Sequence, residues 1–204
     1  SLKSGTTTVL DVSETGDSFK ILFNEPIRSI IFLEFAGGFN GDDGLVFGET
    51  LAKAEGVFTN DLSRWGISPH SPHLTSPALF HRCLKYAEEH HAPVFIRAGQ
   101  SAEERALLAG EVPFLLRNGL VPKNTILITG SELEERDLDA LVQLNVSIAV
   151  CPRSFSRFNR ERFPFAKYLE RGVNLSLGTD SFALCESLNL FDEMYCLKNE
   201  APEL

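Results

Sequence analysis

Gly172-Val173-Asn174-Leu175-Ser176-Leu177-Gly178-Thr179-Asp180-Ser181 is the stretch on which the fold turns. Gly172 follows a helical pattern at the point where a left-handed residue ends a helix. Val173–Leu177 is a short apolar strand, and Gly-Thr-Asp-Ser then supplies polar groups where that strand stops. A helix stop, a strand and a polar strand end make one joint of a repeated β/α unit. The same alternation extends outward over the whole chain. Strands are expected at Thr6–Val12, Arg28–Phe35, Gly66–Pro69, Val94–Arg97, Thr125–Thr129, Val146–Val150 and Val173–Leu177. Most are near-continuous apolar runs, as expected of parallel strands covered by helices. Between them, Ser76 with Pro77 at the first helical position opens one helix. Ser101-Ala102-Glu103-Glu104 is a capping box ahead of Ala106, Leu107 and Leu108. Ser131-Glu132-Leu133-Glu134 repeats it ahead of an apolar face of Leu138, Leu141, Val142 and Leu144. Gly119, like Gly172, closes a helical stretch just before a strand.

Seven strands are one short of the eight that close a barrel, which takes about 250 residues; the chain has 204. Two architectures compete: an open doubly wound sheet, or a (β/α)8 TIM barrel lacking an element at one end. Gly-x-Gly-x-x-Gly and P-loop patterns are absent, and the glycine-rich residues 36–44 have neither the spacing nor the Lys-Ser/Thr of a phosphate cradle. The open nucleotide-binding sheet therefore loses ground.

Composition narrows the partners. With 28 acidic and 19 basic side chains, a net charge of −9 and 43% hydrophobic residues, the chain reads as a soluble globular domain, or at most two small ones. This acidity repels phosphate backbones and anionic headgroups, and no dense Lys/Arg run offsets it, so neither nucleic acid nor a membrane surface is an expected partner. Apolar runs such as Ile30-Ile31-Phe32-Leu33 fall far short of the roughly 20 residues of a spanning helix. No charged region followed by an apolar one opens the chain, so no export signal is expected. Cys83, Cys151, Cys185 and Cys196 lie far apart without Cys-x-x-Cys spacing, which fits reduced thiols in a cytoplasmic protein. All five histidines, His70, His73, His81, His90 and His91, precede residue 92.

Polar residues crowd three strand ends, the face on which barrel enzymes build their sites: residues 66–77 around His70 and His73, Cys151-Pro152-Arg153-Ser154, and Gly178-Thr179-Asp180-Ser181. With Ser4-Gly5-Thr6-Thr7-Thr8, Pro69-His70-Ser71-Pro72, Gly172-Val173-Asn174 and residues 188–194, these segments resemble in order and spacing the amidohydrolase superfamily, in particular its chlorohydrolase and nucleobase- or adenosine-type deaminase branch. The resemblance runs over most of the chain and implies that residues 1–204 are one barrel domain, strands two to eight. It implies a (β/α)8 barrel in which Thr6–Val12 is the second strand and Val173–Leu177 the eighth, the first being missing. It implies hydrolysis of C–N or C–Cl bonds in small cyclic compounds by a hydroxide on zinc or iron.

The family's metal ligands are an His-x-His pair on the first strand, one His ending the fifth, one His ending the sixth and an Asp ending the eighth. The last is matched by Asp180. The fifth-strand position falls on Arg97, the sixth on Thr129, and the family's acid/base Glu on Gln100, which can hydrogen-bond but cannot shuttle a proton. His70 matches a substrate-contacting histidine, Glu132 stands where many members have a second one, His73 replaces a common Tyr, and Arg153 and Ser154 belong to the substrate side. A zinc or iron site needs three or four N, O or S ligands, and no histidine follows residue 91. Arg97 places a permanent cation at a ligand position, and a pair between Arg97 and Asp180 is expected in the metal's stead.

Plainer readings stand beside these. His70 can be a loop histidine bonded to backbone, His90 and His91 cap a helix end, and Asp180 can be a helix N-cap. Cys151 reads as inert packing. Glu132, Glu134, Glu135, Asp137 and Asp139 read as the solvated face of a helix, and Phe155, Phe158, Phe163 and Phe165, interleaved with Arg153, Arg157, Arg160 and Arg162, as a loop over a barrel mouth. The leading expectation is a degenerate amidohydrolase-like barrel, a pseudoenzyme with a small-molecule pocket and no metal of its own. One rival is an active metal-dependent hydrolase whose His-x-His lies before Ser1, with His70 or His73 as third ligand. The other is a structural subunit, a homo-oligomer pairing through its uncovered strand edges.

Overall fold

A computed structural model describes residues 4–56, 60–100, 102–129, 133–157 and 163–201. Seven strands and nine helices run in alternation among the described residues. The strands are β1 (Thr8–Ser13), β2 (Arg28–Phe35), β3 (Ser63–Pro69), β4 (Phe95–Arg97), β5 (Ile126–Ile128), β6 (Ser147–Val150) and β7 (Asn174–Leu177). All seven lie where the apolar runs place them, with ends shifted by up to three residues. They form one sheet of order β1-β2-β3 and another of order β4-β5-β6-β7. The pairs β1–β2, β2–β3, β5–β6 and β6–β7 are parallel.

The chain divides into two compact units, Thr7–Ile96 and Arg97–Leu204 with Ser1–Thr6. In the first, β2 is the central strand and carries the core through Ile31, Phe32, Leu33 and Phe35, all fully buried. Gly66 on β3 lies beneath Phe32: a Cβ there would meet the Pro93 carbonyl at 2.5 Å and the Phe32 ring at 2.8 Å. Helices α1 (Asp17–Leu22), α2 (Asp43–Ala52) and α3 (Pro77–Glu89) belong to this unit. The Ser76 hydroxyl caps α3 by accepting from the Leu79 amide at 3.2 Å, with Pro77 following, as the sequence predicts. His90 ends α3 with its ring stacked on Tyr86 at 3.9 Å and its Nδ1 2.9 Å from the Tyr86 carbonyl, a structural role.

The second unit carries α4 (Ala102–Ala106), α5 (Glu111–Arg117), α6 (Glu135–Gln143), α7 (Pro152–Arg157), α8 (Phe165–Glu170) and α9 (Leu190–Glu200). Its core is built by Leu127, Ile148, Val150, Leu138 and Leu141, all fully buried. Gly119 and Gly172 take the left-handed turn expected of helix stops (φ +66° and +78°). The helix expected through Leu107 and Leu108 breaks instead: Leu107–Ala109 is a 3-10 turn in which Leu108 and Ala109 take left-handed backbone. Ser101, Ser131 and Glu132, the caps proposed for α4 and α6, lie outside the described residues; α6 begins later, after Glu134, whose side chain makes no cap.

Two further expectations change. Phe155, Phe163 and Phe165 are buried, with Phe163 packed edge-on against Phe165 at 4.8 Å and tilted against Tyr168 at 4.7 Å, so they form an aromatic core rather than a cover over a mouth. Phe158, Arg160 and Arg162 are outside the described residues. On α6, Glu135 and Asp139 do face solvent and pair with Arg171, but Asp137 is buried, and its Oδ2 has no hydrogen-bond partner among the described residues.

Candidate functional site

The site residues expected from the sequence divide between the two units. In Thr7–Ile96, His70 directly follows β3. Its amide donates to the Phe35 carbonyl at 2.9 Å, which ties it to the end of β2. Its Nδ1 lies 3.0 Å from the Ser71 hydroxyl, and its Nε2 lies 4.0 Å from a carboxylate oxygen of Glu34. His73 is half-buried in the turn that follows. That turn is pinned to the strand end beside it: the Gly37 amide donates to the Leu74 carbonyl at 2.7 Å and the Ser76 amide to the Gly37 carbonyl at 2.8 Å. The Thr75 hydroxyl adds a bond to the Phe35 carbonyl at 3.1 Å. Gly38 makes the close approach workable, because a Cβ there would stand 2.8 Å from the Ser76 hydroxyl. Glu34 was missed from sequence, although a single carboxylate inside the apolar run of β2 is an unusual residue in a buried strand.

In the second unit Arg97 ends β4 and Thr129 follows β5, where it is fully buried. The loop after β4 is held by carboxylates: the Gly99 amide donates to Glu111 at 2.7 Å and the Gln100 amide to Glu104 at 2.7 Å. Glu111 is entirely buried, a structural carboxylate that its place in the first turn of α5 did not betray. Glu132 lies outside the described residues.

Asp180 follows β7 with left-handed backbone, φ +57°. Such a conformation in a non-glycine residue stores on the order of 1–3 kcal/mol and gathers where a side chain must be aimed. The Ser154 hydroxyl donates to Asp180 Oδ2 at 2.9 Å, and the Ser181 amide donates to its Oδ1 at 2.9 Å. The strand ends of β6 and β7 are pressed together here, since a Cβ on Gly178 would meet Cys151 Sγ at 3.0 Å. The pair expected between Arg97 and Asp180 does not form: no ion pair between them is present among the described residues. Asp180 instead satisfies its oxygens locally, through the buried Ser154 hydroxyl of α7 and the next backbone amide.

Arg153 is held by a set of hydrogen bonds. Its backbone amide and Nε donate to the two oxygens of Glu193 on α9, at 3.0 and 2.8 Å, and its other nitrogens donate to the Ser187 hydroxyl and carbonyl at 3.1 and 2.7 Å. Asp192 lies 3.7 Å away. Of the two adjacent residues read as substrate contacts, Arg153 thus latches α7 to α9 while Ser154 holds Asp180. The Cys151 thiol is pushed up to about 12, chiefly by burial and then by the charges of Asp180 and Glu193, which fits inert packing. All four cysteines are free thiols.

A zinc or iron ion of the kind the resemblance implies needs at least three converging imidazole, thiolate or carboxylate donors. Arg97 offers a cation and Thr129 a neutral hydroxyl, and no group of three or more His, Cys, Asp or Glu side chains is arranged to hold an ion among the described residues. Among the described residues, these donors do not make up such a set.

Parallel strands alternating with helices, with polar side chains gathered at their carboxyl ends, define a protein of the β/α-barrel class. Residues 1–201 match the amidohydrolase family, and the chain belongs to it. It is 30% identical over 204 residues to a 5-methylthioadenosine/S-adenosylhomocysteine deaminase of Syntrophobacter fumaroxidans, covering 95% of this chain and 46% of that protein. A protein of the same description from Nitratidesulfovibrio vulgaris is 34% identical over 133 residues, 63% of this chain and 30% of its own. Among solved structures, an adenosine deaminase from Xanthomonas campestris with bound zinc superposes with a TM-score of 0.84 at 22% identity, over 99% of this chain and 48% of that one. Guanine deaminase from C. acetobutylicum, with guanine in its active site, gives 0.83 at 19% identity over 98% and 52%. These likenesses establish the amidohydrolase TIM-barrel fold, of which this chain holds a part. It spans about half the length of the relatives it matches.

Proposed function

We propose that this chain is a catalytically silent amidohydrolase-fold protein that binds a small cyclic compound without hydrolysing it. Supporting the reading is the set of groups at the strand ends of the second unit: Arg97 at the end of β4, Thr129 after β5 and Gln100 in place of a carboxylic acid, with Asp180 bonded to Ser154. A guanidinium cannot deprotonate to become a metal ligand, and a side-chain amide does not act as a general acid or base at neutral pH. The ligand class follows from the relatives, described as deaminases of 5-methylthioadenosine, S-adenosylhomocysteine, adenosine and guanine. A purine or purine nucleoside is the ligand of first choice, and within the first unit His70 and His73 are its candidate polar contacts. Free thiols at all four cysteines support a reducing, cytoplasmic setting, and no helix among the described residues is long and apolar enough to cross a membrane.

The test combines elemental analysis of the chain after exposure to zinc and to iron(II), deamination assays on adenosine, 5-methylthioadenosine, S-adenosylhomocysteine and guanine, and calorimetric titration with the same four. Substoichiometric metal, no ammonia release and saturable binding of at least one compound are expected. Stoichiometric metal with turnover would overturn the reading, as would failure to bind any of the four.

A further inference from the structure

The face of the β2–β3 pair turned away from α2 and α3 carries a short row of polar side chains. Phe35 stacks on Phe47 of α2 at 5.2 Å, and Trp65 lies against Tyr86 of α3 at 6.2 Å, so the odd-numbered side chains of both strands meet the helices. The even-numbered ones point the other way. There Phe32 packs on Phe95 at 5.2 Å and over Gly66, and two residues further along Glu34 stands in register beside Ser68. His70 continues that row, fixed by the hydrogen bond from its amide to the Phe35 carbonyl. The Ser68 hydroxyl is 0% exposed and has no hydrogen-bond partner among the described residues. His70 Nε2 lies 4.0 Å from a Glu34 carboxylate oxygen, too far for a hydrogen bond, while Ser71 engages Nδ1 at 3.0 Å.

We propose that Glu34, Ser68 and His70 form an amine site, which receives a ligand nitrogen carrying at least two N–H donors. With Nδ1 donating to Ser71, Nε2 is an acceptor, and the Glu34 carboxylate is a second acceptor 4.0 Å from it. Two acceptors at that spacing are the ends of a bridge whose donor is a third atom. A nitrogen at the ordinary ~2.9 Å from each would see them roughly 90° apart, so two N–H bonds of one amino group reach both with donor angles above about 150°. Ser68, in register with Glu34, supplies a third acceptor from the lone pairs of its unused hydroxyl. The carboxylate strengthens its bond to any donor that carries positive charge, which favours an amino or ammonium nitrogen over a hydroxyl. Side-chain exposure falls from 24% at His70 to 11% at Glu34, and Ser68 is closed off entirely, so the nitrogen enters past the imidazole and ends on the serine. All three residues belong to the first unit. The identity of the nitrogen rests on the purine reading above, under which it is the exocyclic amine of adenine or guanine; the three acceptors themselves do not depend on that reading.

Two measurements on the 204-residue chain test the site, with Glu34→Gln and Ser68→Ala compared at equal helix content by circular dichroism. Methylammonium is titrated at constant ionic strength while the His70 imidazole nitrogens are followed by NMR, with tetramethylammonium, which has no N–H, as control. A saturable shift of Nε2 with methylammonium alone is expected, its affinity lowered about tenfold in Glu34→Gln and about threefold in Ser68→Ala. Calorimetry then compares adenosine with purine riboside and guanine with hypoxanthine, pairs that differ only by the amino group. The amino-bearing member of at least one pair should bind about tenfold tighter to the wild type, and the two members alike to Glu34→Gln. No Nε2 response to methylammonium, or an equal response in Glu34→Gln, overturns the site. A response without preference inside either purine pair overturns the assignment to the purine amine. A response with no purine bound at all upholds the amine site and overturns the purine reading instead.

Discussion

Replacing Glu193 by Ala tests the latch that holds α9 in place. The carboxylate is wholly buried and takes two bonds from Arg153, at 3.0 and 2.8 Å, while the Arg153 side chain is 21% exposed. Removing one partner of a buried pair costs ~3–5 kcal/mol when the other is left uncompensated. Arg153 would retain both bonds to Ser187 and the nearby Asp192, and part of its guanidinium reaches solvent, so the cost falls below that range, to ~2–3 kcal/mol. For a chain of this length each kcal/mol moves the melting temperature by roughly 2–4 °C, which gives a fall on the order of 4–12 °C. Glu193→Gln preserves volume and one acceptor, and should lose about 1–2 kcal/mol through the missing charge-assisted bond. Urea denaturation followed by circular dichroism reads both. If Glu193→Ala shifted stability by less than about 0.5 kcal/mol, the surface-substitution range, the contact would be incidental and the account of α9 wrong.

Other consequences are open to direct measurement. A thiol pushed up to about 12 leaves Cys151 far less ionised at pH 8 than an ordinary cysteine, by a factor on the order of a thousand, so alkylation mapped by mass spectrometry should reach it only on unfolding; labelling at a free-thiol rate would contradict its burial. Because the folded value lies above the unfolded one, the stabilisation is complete below about pH 9 and is lost as pH rises toward the folded value, visible as a declining urea midpoint in alkali. Gly66→Ala should cost more than about 3 kcal/mol, since its Cβ would stand 2.5 Å from a carbonyl oxygen and 2.8 Å from the Phe32 ring; an expression level and midpoint like wild type would disprove that packing. The double substitution Arg97→His with Thr129→His, added to Asp180, should confer zinc uptake measurable by elemental analysis and spectrally with cobalt(II); no gain in affinity would mean that these strand ends do not converge.

The fold was legible because it depends on patterns that few residues can disguise. Seven apolar runs, separated by Gly119, Gly172 and the Ser76-Pro77 start, mark the β/α repeat without reference to any partner segment. Its exceptions are local: Leu107 and Leu108 have the composition of a helix, and only the backbone reveals that Leu108 and Ala109 turn left-handed ahead of α5. The site was less legible. Positions such as Asp180 and His70 could be located at strand ends, but what each side chain touches depends on segments far away in sequence. Arg153 was placed on the substrate side by its position after a strand, and its bond to Glu193, forty residues on, is one that sequence spacing does not reveal. The expected pair of Arg97 with Asp180 rested on charge alone and overlooked the nearer hydroxyl of Ser154. Glu34 and Glu111 went unnoticed for the same reason, since burial of a carboxylate is a property of the packed chain.

The buried acid of α9 carries a consequence for how the chain folds. The docking side sets a wholly buried acid among the half-buried Leu190, Cys196 and Leu197, so the helix settles fully only once the guanidinium from residue 153 is in place. Neither end of that clasp is worth ordering without the other. Segments 151–157 and 187–200 should therefore exchange their amide hydrogens as a single cooperative block, opening and closing together rather than fraying from the carboxyl end inward.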